Sequence, residues 1–154
     1  TPMGALDGSL GSQNAAQLGA VAIAGALKRG GVHADQIDEV YMGCVLAAGQ
    51  GQAPARQAAL GAGLAKSVPC TTVNKMCGSG MQTTIMGFNA IKAGSANVML
   101  CGGMESMTNA PYLLPKVRQG MRMGHGKMLD HMFLLRIRNH LCCCLPFLNK
   151  NPFL

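Results

Sequence analysis

Tryptophan is absent from this chain, and aromatic residues make up only 4% of it. Surfaces that stack nucleic-acid bases need aromatic platforms, and no helix-turn-helix, zinc-finger or RNA-binding signature is present to replace them. The excess of 13 Lys or Arg over 6 Asp or Glu is therefore not read as a nucleic-acid footprint. Charge is scarce at 12% while hydrophobic residues reach 49%, which excludes a self-repelling disordered polymer and calls for a packed core. No apolar run approaches the roughly 20 residues that a membrane-spanning helix requires. Seven cysteines form no spaced pairs, and three of them, Cys142, Cys143 and Cys144, are contiguous. Neither a disulfide framework nor a tetrahedral metal site follows from that arrangement, so the chain reads as a reduced intracellular protein without a metal.

At 154 residues the chain has the size of one ordinary domain. Ser12 is placed to cap a helix over 13–29, packed through Leu18, Val21, Ala22 and Ala26 and stopped by Gly30-Gly31. Residues 39–46 and 70–73 read as strands, the first in the sheet's interior, and Pro54 opens a short helix ending near 61–63. A helix follows over 82–93, with Ile85, Met86, Phe88, Ala90 and Ile91 in helical rhythm, and then a strand over 98–101. This alternation predicts an α/β fold, a parallel sheet covered by helices. After Gly102-Gly103 the pattern breaks into a Met-rich, Pro- and Gly-punctuated stretch. Residues 111–154 carry seven basic residues against one acid, compared with six against five in residues 1–110.

The chemistry concentrates in Val73-Asn74-Lys75-Met76-Cys77-Gly78-Ser79-Gly80-Met81. Here a cysteine sits where a strand turns sharply into a helix. Unpaired amides at the helix start and the nearby Lys75 cation favour a thiolate, so the Cys77 thiol is expected to fall from about 8.5 toward neutrality. Gly78 and Gly80 leave room for a bulky acyl group. Cys77 is read as a nucleophile, the alternative being an inert buried cysteine. Cys44 and Cys101 fall in strands and read as core residues. His125 reads as a solvated loop residue, and His33, His131 and His140 have no companion. Arg56, Glu105 and Asn74 are explained equally well by structural hydrogen bonds and by catalysis.

The cysteine motif resembles the nucleophile motif of the thiolases, acyl-CoA:acyl-CoA transferases. Residues 50–59 (Gln50-Gly51-Gln52-Ala53-Pro54-Ala55-Arg56-Gln57-Ala58-Ala59), 102–107 (Gly102-Gly103-Met104-Glu105-Ser106-Met107) and 122–130 (Arg122-Met123-Gly124-His125-Gly126-Lys127-Met128-Leu129-Asp130) resemble successive signatures of the same family in its order. Within the family the likeness is to short-chain acetyl-CoA acetyltransferases, and it covers Thr1 to about Phe133. The resemblance implies a thiolase-like layered α/β/α fold, here an N-terminal half with an incomplete sheet. It further implies residues 1–110 as the α/β domain lacking its first strand, 111–133 as the start of a loop domain, and 134–154 as a divergent tail.

Functionally, the resemblance implies Claisen condensation or thiolysis through an acyl-Cys77 intermediate, in fatty acid or ketone body metabolism. Coenzyme A thioesters, acetyl-CoA or acetoacetyl-CoA, would be the substrates, with no bound cofactor and no metal. Lys116, Arg118, Arg122 and Lys127 would attract the phosphates of coenzyme A. The activating histidine and second cysteine of thiolases lie in Gly-rich motifs that this sequence lacks. A truncated chain, inactive alone, is thus expected, with a noncatalytic interaction or CoA-binding module as the alternative. Partners would be a homo-oligomer or a full-length thiolase subunit, in the cytoplasm or, secondarily, the mitochondrion. Absence of the family's first strand would leave 39–46 and 70–73 without a shared partner and make the chain prone to associate.

Overall fold

The computed structural model describes residues 1–135. Its first helix, α1 (Ala15–Gly30), is capped by Asn14 rather than Ser12: the Asn14 side chain accepts from the Gln17 amide at 2.9 Å, and the Gln17 side chain accepts from the Asn14 amide. This reciprocal box satisfies two otherwise orphaned donors. The helix ends as expected at Gly31, whose φ of 64° is a left-handed conformation that glycine adopts without a Cβ penalty. Its buried face consists of Ala15, Ala16, Gly19 and Ile23, while Val21 and Ala26 point outward. Tight packing decides the matter, because α1 lies on α2 (Pro54–Gly61) through Gly19, where an added Cβ would fall 3.0 Å from Ala58 and 2.5 Å from the Met104 sulfur.

Three parallel strands, β1 (Glu39–Gly43), β2 (Cys70–Val73) and β3 (Met99–Gly103), form the main sheet in the order β2-β1-β3. The interior position expected for β1 is observed. The expected gap beside it is not: Val40 pairs with Cys70 and Gly43 with Val73, so β1 and β2 bond directly to each other. On its other side β1 pairs with β3 from Glu39–Met99 to Gly43–Gly103. The outward edges of β2 and β3, not a cleft between strands, are therefore the open edges of this sheet. Strand β1 also stops at Gly43, short of the expected residue 46.

Alternation along β1 sorts the two faces of the sheet. Val40, Met42 and Cys44 enter the core with Ile23, Ala55, Ala58 and Leu64, beneath α1 and α2. The opposite face carries α3 (Ser79–Lys92), which begins three residues earlier than the apolar rhythm suggests. Its buried residues are small, Ser79, Thr83 and Gly87, and the large apolar ones that suggested the helix, Ile85, Phe88 and Ile91, are exposed together with Met81. The small face is dictated by close approach, since a Cβ on Gly87 would meet the Cys101 sulfur at 2.3 Å. Thr83, fully buried, places its hydroxyl 2.7 Å from the Gly80 carbonyl and 2.8 Å from that of Gly102, tying α3 to β3.

Beyond β3 the chain makes a short antiparallel pair, β4 (Tyr112–Leu113) with β5 (Leu129–Asp130), and a one-turn helix α4 (His131–Leu134) capped by Asp130. No helix among the described residues is long and apolar enough to cross a membrane.

Candidate functional site

Cys77 occupies the elbow between β2 and α3, one residue before the helix cap Gly78. Two side chains shape the elbow. The Ser79 hydroxyl accepts from the Lys75 amide at 2.9 Å and donates to the Met76 carbonyl. The Asn74 carbonyl oxygen accepts from the Met76 amide at 3.0 Å, holding Met76 at φ 48°, a left-handed conformation uncommon for a residue with a side chain. Lys75 turns away to donate to the Gln82 side chain at 2.9 Å. The consequence is an exposed thiol beside the first turn of α3.

The elbow can sit on the sheet because glycines bring the backbones together. An added Cβ on Gly43 would lie 2.7 Å from the Ser79 backbone, and one on Gly103 would lie 3.2 Å from the Gly80 Cα. Sequence reading missed Gly43 and Ser79; the signal available was a glycine at the carboxyl end of a central strand, the point at which open α/β sheets bind ligands. A cavity of about 520 Å³ opens there, lined by Cys77, Met76, Cys44, Glu105, Met104 and Met132 among others.

Glu105, Arg56 and Asn74 each make hydrogen bonds to backbone groups. Glu105 accepts backbone N–H bonds from Val45 at 2.9 Å and Leu46 at 3.1 Å, and the Cys44 thiol lies 3.6 Å from it. Arg56 donates to the carbonyls of Lys66 and Val68, tying α2 to the chain before β2. Asn74, besides holding Met76, donates to the Val45 carbonyl at 3.5 Å. Cys44 is buried as expected, and Cys101 is partly buried in β3. Burial, reinforced by the Glu105 carboxylate, pushes the Cys44 thiol up to about 11, and burial also raises the Cys101 thiol.

That contrast yields a labelling order. With a thiol at about 11, Cys44 is ionised to only about one part in ten thousand at pH 7. Iodoacetamide is expected to label exposed Cys77 well before Cys44 in folded protein at pH 7. Cys44 labelling should quicken about tenfold per pH unit as its thiolate fills toward pH 11. Peptide mapping over a time course checks this; Cys44 reacting first would refute the assignment of Cys77 as the accessible nucleophile.

None of the described histidines joins the cavity at Cys77. His125 lines a second cavity of about 420 Å³ together with Lys116, Arg122 and Lys127, and Arg118 is not part of that lining. His131 has a buried Nε2 without a hydrogen-bond partner. His140 and Cys142 to Cys144 lie outside the described residues. Among the described residues no cluster of three or more His, Cys, Asp or Glu side chains is arranged to hold a metal ion.

A parallel α/β sheet with a cysteine on a strand-to-helix elbow above its carboxyl end defines the class of protein. The family described as "Thiolase, N-terminal domain" matches residues 1–141, and the chain belongs to the thiolase family. It is similar to an acetyl-CoA acetyltransferase of Schizosaccharomyces pombe, 52% identical over 130 residues, covering 84% of this chain and 33% of that one. The cytosolic acetyl-CoA acetyltransferase ERG10 of Gibberella zeae is 49% identical over 130 residues, with the same coverage. Mitochondrial acetyl-CoA acetyltransferase B of Xenopus laevis is 53% identical over 116 residues, covering 75% of this chain and 28% of that one. The chain thus spans about a third of the length of these relatives.

Proposed function

We propose that this chain is the nucleophile-bearing part of an acetyl-CoA C-acetyltransferase, and that Cys77 accepts an acyl group from a coenzyme A thioester. The observation that carries the reading is the exposed thiol on the Ser79-braced elbow, facing a cavity large enough for a short acyl group. In the acyl-transfer step the Cys77 thiolate attacks the thioester carbonyl, the new carbon–sulfur bond forms, and the bond to coenzyme A breaks, releasing its thiolate to take up a proton. The positive end of the α3 dipole beside the thiol favours the negative charge that develops on the carbonyl oxygen. Lys116, Arg122 and Lys127 around the second cavity give a basic surface suited to the phosphates of coenzyme A.

Residues 1–110 are read as the α/β domain and 111–133 as the start of a loop domain, followed by the divergent tail from 134. Acetyl-CoA or acetoacetyl-CoA is the substrate, in fatty acid or ketone body metabolism, in the cytoplasm as for the Gibberella zeae relative or the mitochondrion as for that of Xenopus laevis. Among the described residues no histidine lines the cavity at Cys77, and its one carboxylate, Glu105, is engaged by the Val45 and Leu46 amides. Acylation without turnover is therefore expected of the isolated chain: incubation with acetyl-CoA should add one acetyl group at Cys77, detected by peptide mass spectrometry, with release of one equivalent of coenzyme A and no sustained formation of acetoacetyl-CoA. Sustained turnover would show that this chain supplies the base itself, and no adduct would overturn the acyl-acceptor role.

A second reading is favoured by the exposed stripe of Met81, Ile85, Phe88 and Ile91 on α3. An apolar helix face of that kind suits a noncatalytic module that associates with a second copy or with a full-length thiolase subunit. Light scattering with and without such a subunit distinguishes the two readings.

A further inference from the structure

The hydrogen bonds around Cys77 form a continuous chain. Glu105, just after β3, grips the amides of Val45 and Leu46. The Val45 carbonyl in turn receives the Asn74 amide group at 3.5 Å, and the Asn74 oxygen receives the Met76 amide at 3.0 Å. Met76, at φ 48°, is the residue whose backbone sets the direction of Cys77. One wall of the 520 Å³ cavity, residues 44–46, is thereby tied to the other, residues 76–77, by the Asn74 side chain, beside the backbone bond from the Cys44 amide to the Val73 carbonyl at 3.0 Å. Asn74 is exposed, so burial does not account for its place, and its amide group can donate to one wall while accepting from the other.

We propose that Asn74 and Glu105 are positioning residues for acyl transfer: they fix Cys77 against the 44–46 wall by holding the left-handed backbone of Met76. Both act through the backbone that they hold. Glu105 determines where the wall stands, and Asn74 transmits that position to the elbow. The carboxylate matters here for its two acceptor oxygens, which meet two adjacent amides. This inference rests on Cys77 being the acyl acceptor, and its consequences reach the thiol's reactivity even where no acyl donor is present.

The test uses the full 154-residue chain with Asn74→Ala, Asn74→Asp and Glu105→Gln variants. Three readouts are compared: iodoacetamide alkylation of Cys77 between pH 6 and 9, acetylation by acetyl-CoA, and the thermal midpoint. Asn74→Ala is expected to slow both reactions of Cys77 about tenfold at an unchanged midpoint, because misplacing a reacting atom is costly even far from a change in packing. Glu105→Gln, which keeps one acceptor, should act in the same direction by about threefold. Asn74→Asp keeps the bond from Met76 but sets a carboxylate beside the elbow, so its alkylation profile should move to higher pH. That displacement follows from charge alone, so the alkylation rate per thiolate is the readout: it falls if the lost donation to Val45 misplaces Cys77 and is unchanged if Asn74 is merely structural.

Alkylation of Cys77 in Asn74→Ala within twofold of the native rate would overturn the proposal. If that variant does not fold, the alkylation rate per thiolate in Asn74→Asp decides, a rate within twofold of the native one refuting the coupling. A native chain that is alkylated at Cys77 but never acetylated removes the acyl-acceptor reading alone, and the alkylation rates still judge the positioning.

Discussion

Substitution of Gly43 by alanine is expected to destabilise the chain by about 1–3 kcal/mol, the range typical of overpacking a tight interior. The new methyl would lie 2.7 Å from the Ser79 carbonyl carbon and 2.8 Å from the Gly80 nitrogen. These are backbone atoms of the elbow and cannot swing aside as a side chain would. Relief requires α3 to lift from β1, which breaks the approach that puts Ser79 under the elbow and Thr83 against the Gly102 carbonyl. Gly102→Ala provides the control: its Cβ would meet the Met42 sulfur at 3.3 Å, the end of a flexible side chain, and should cost much less. Urea titration of both variants checks the contrast. Equal stabilities would mean that α3 is not seated by the glycine at the end of β1.

The second large effect concerns the nucleophile. Cys77→Ser should reduce acetyl incorporation from acetyl-CoA by at least about a hundredfold, because a serine hydroxyl without a general base lacks the 10²–10⁴-fold assistance that proton removal supplies. Stability should be little changed, since residue 77 is exposed and the elbow is braced by Asn74 and Ser79 rather than by the thiol. Intact-mass measurement gives the adduct yield and a thermal melt gives the fold. Undiminished acetylation would place the acceptor elsewhere, with peptide mapping to find it among Cys70, Cys101 and the cysteines of residues 142–144.

The contrast between Cys77 and Cys44 shows how far local sequence reaches. Both thiols line one cavity, yet one is exposed on an elbow and the other is buried against a carboxylate. Proximity of Cys77 to a helix start was legible because strand residues, glycines and a helical pattern follow one another within a few positions. The partner of Cys44, Glu105, lies 61 residues away in the chain. No local pattern identifies that pair, and only the pairing of β1 with β3 brings them together.

Helix α3 gives the same lesson in reverse. Its large apolar residues suggested the helix correctly, yet they are not what it buries, because the sheet beneath it demanded the smallest residues available. Periodicity reports that a helix exists; the depth of the groove it enters decides which stripe is buried. The sequence by itself determined the α/β alternation, the elbow cysteine and membership in the thiolase family, since each depends on residues close together or on ordered motifs. The tertiary structure alone decided that β1 and β2 bond without a gap, that Gly43 admits the elbow, and that Asn74 joins two cavity walls. These depend on backbone separations held to within a few tenths of an ångström between segments far apart in the chain, a precision set by packing and not carried by any local pattern.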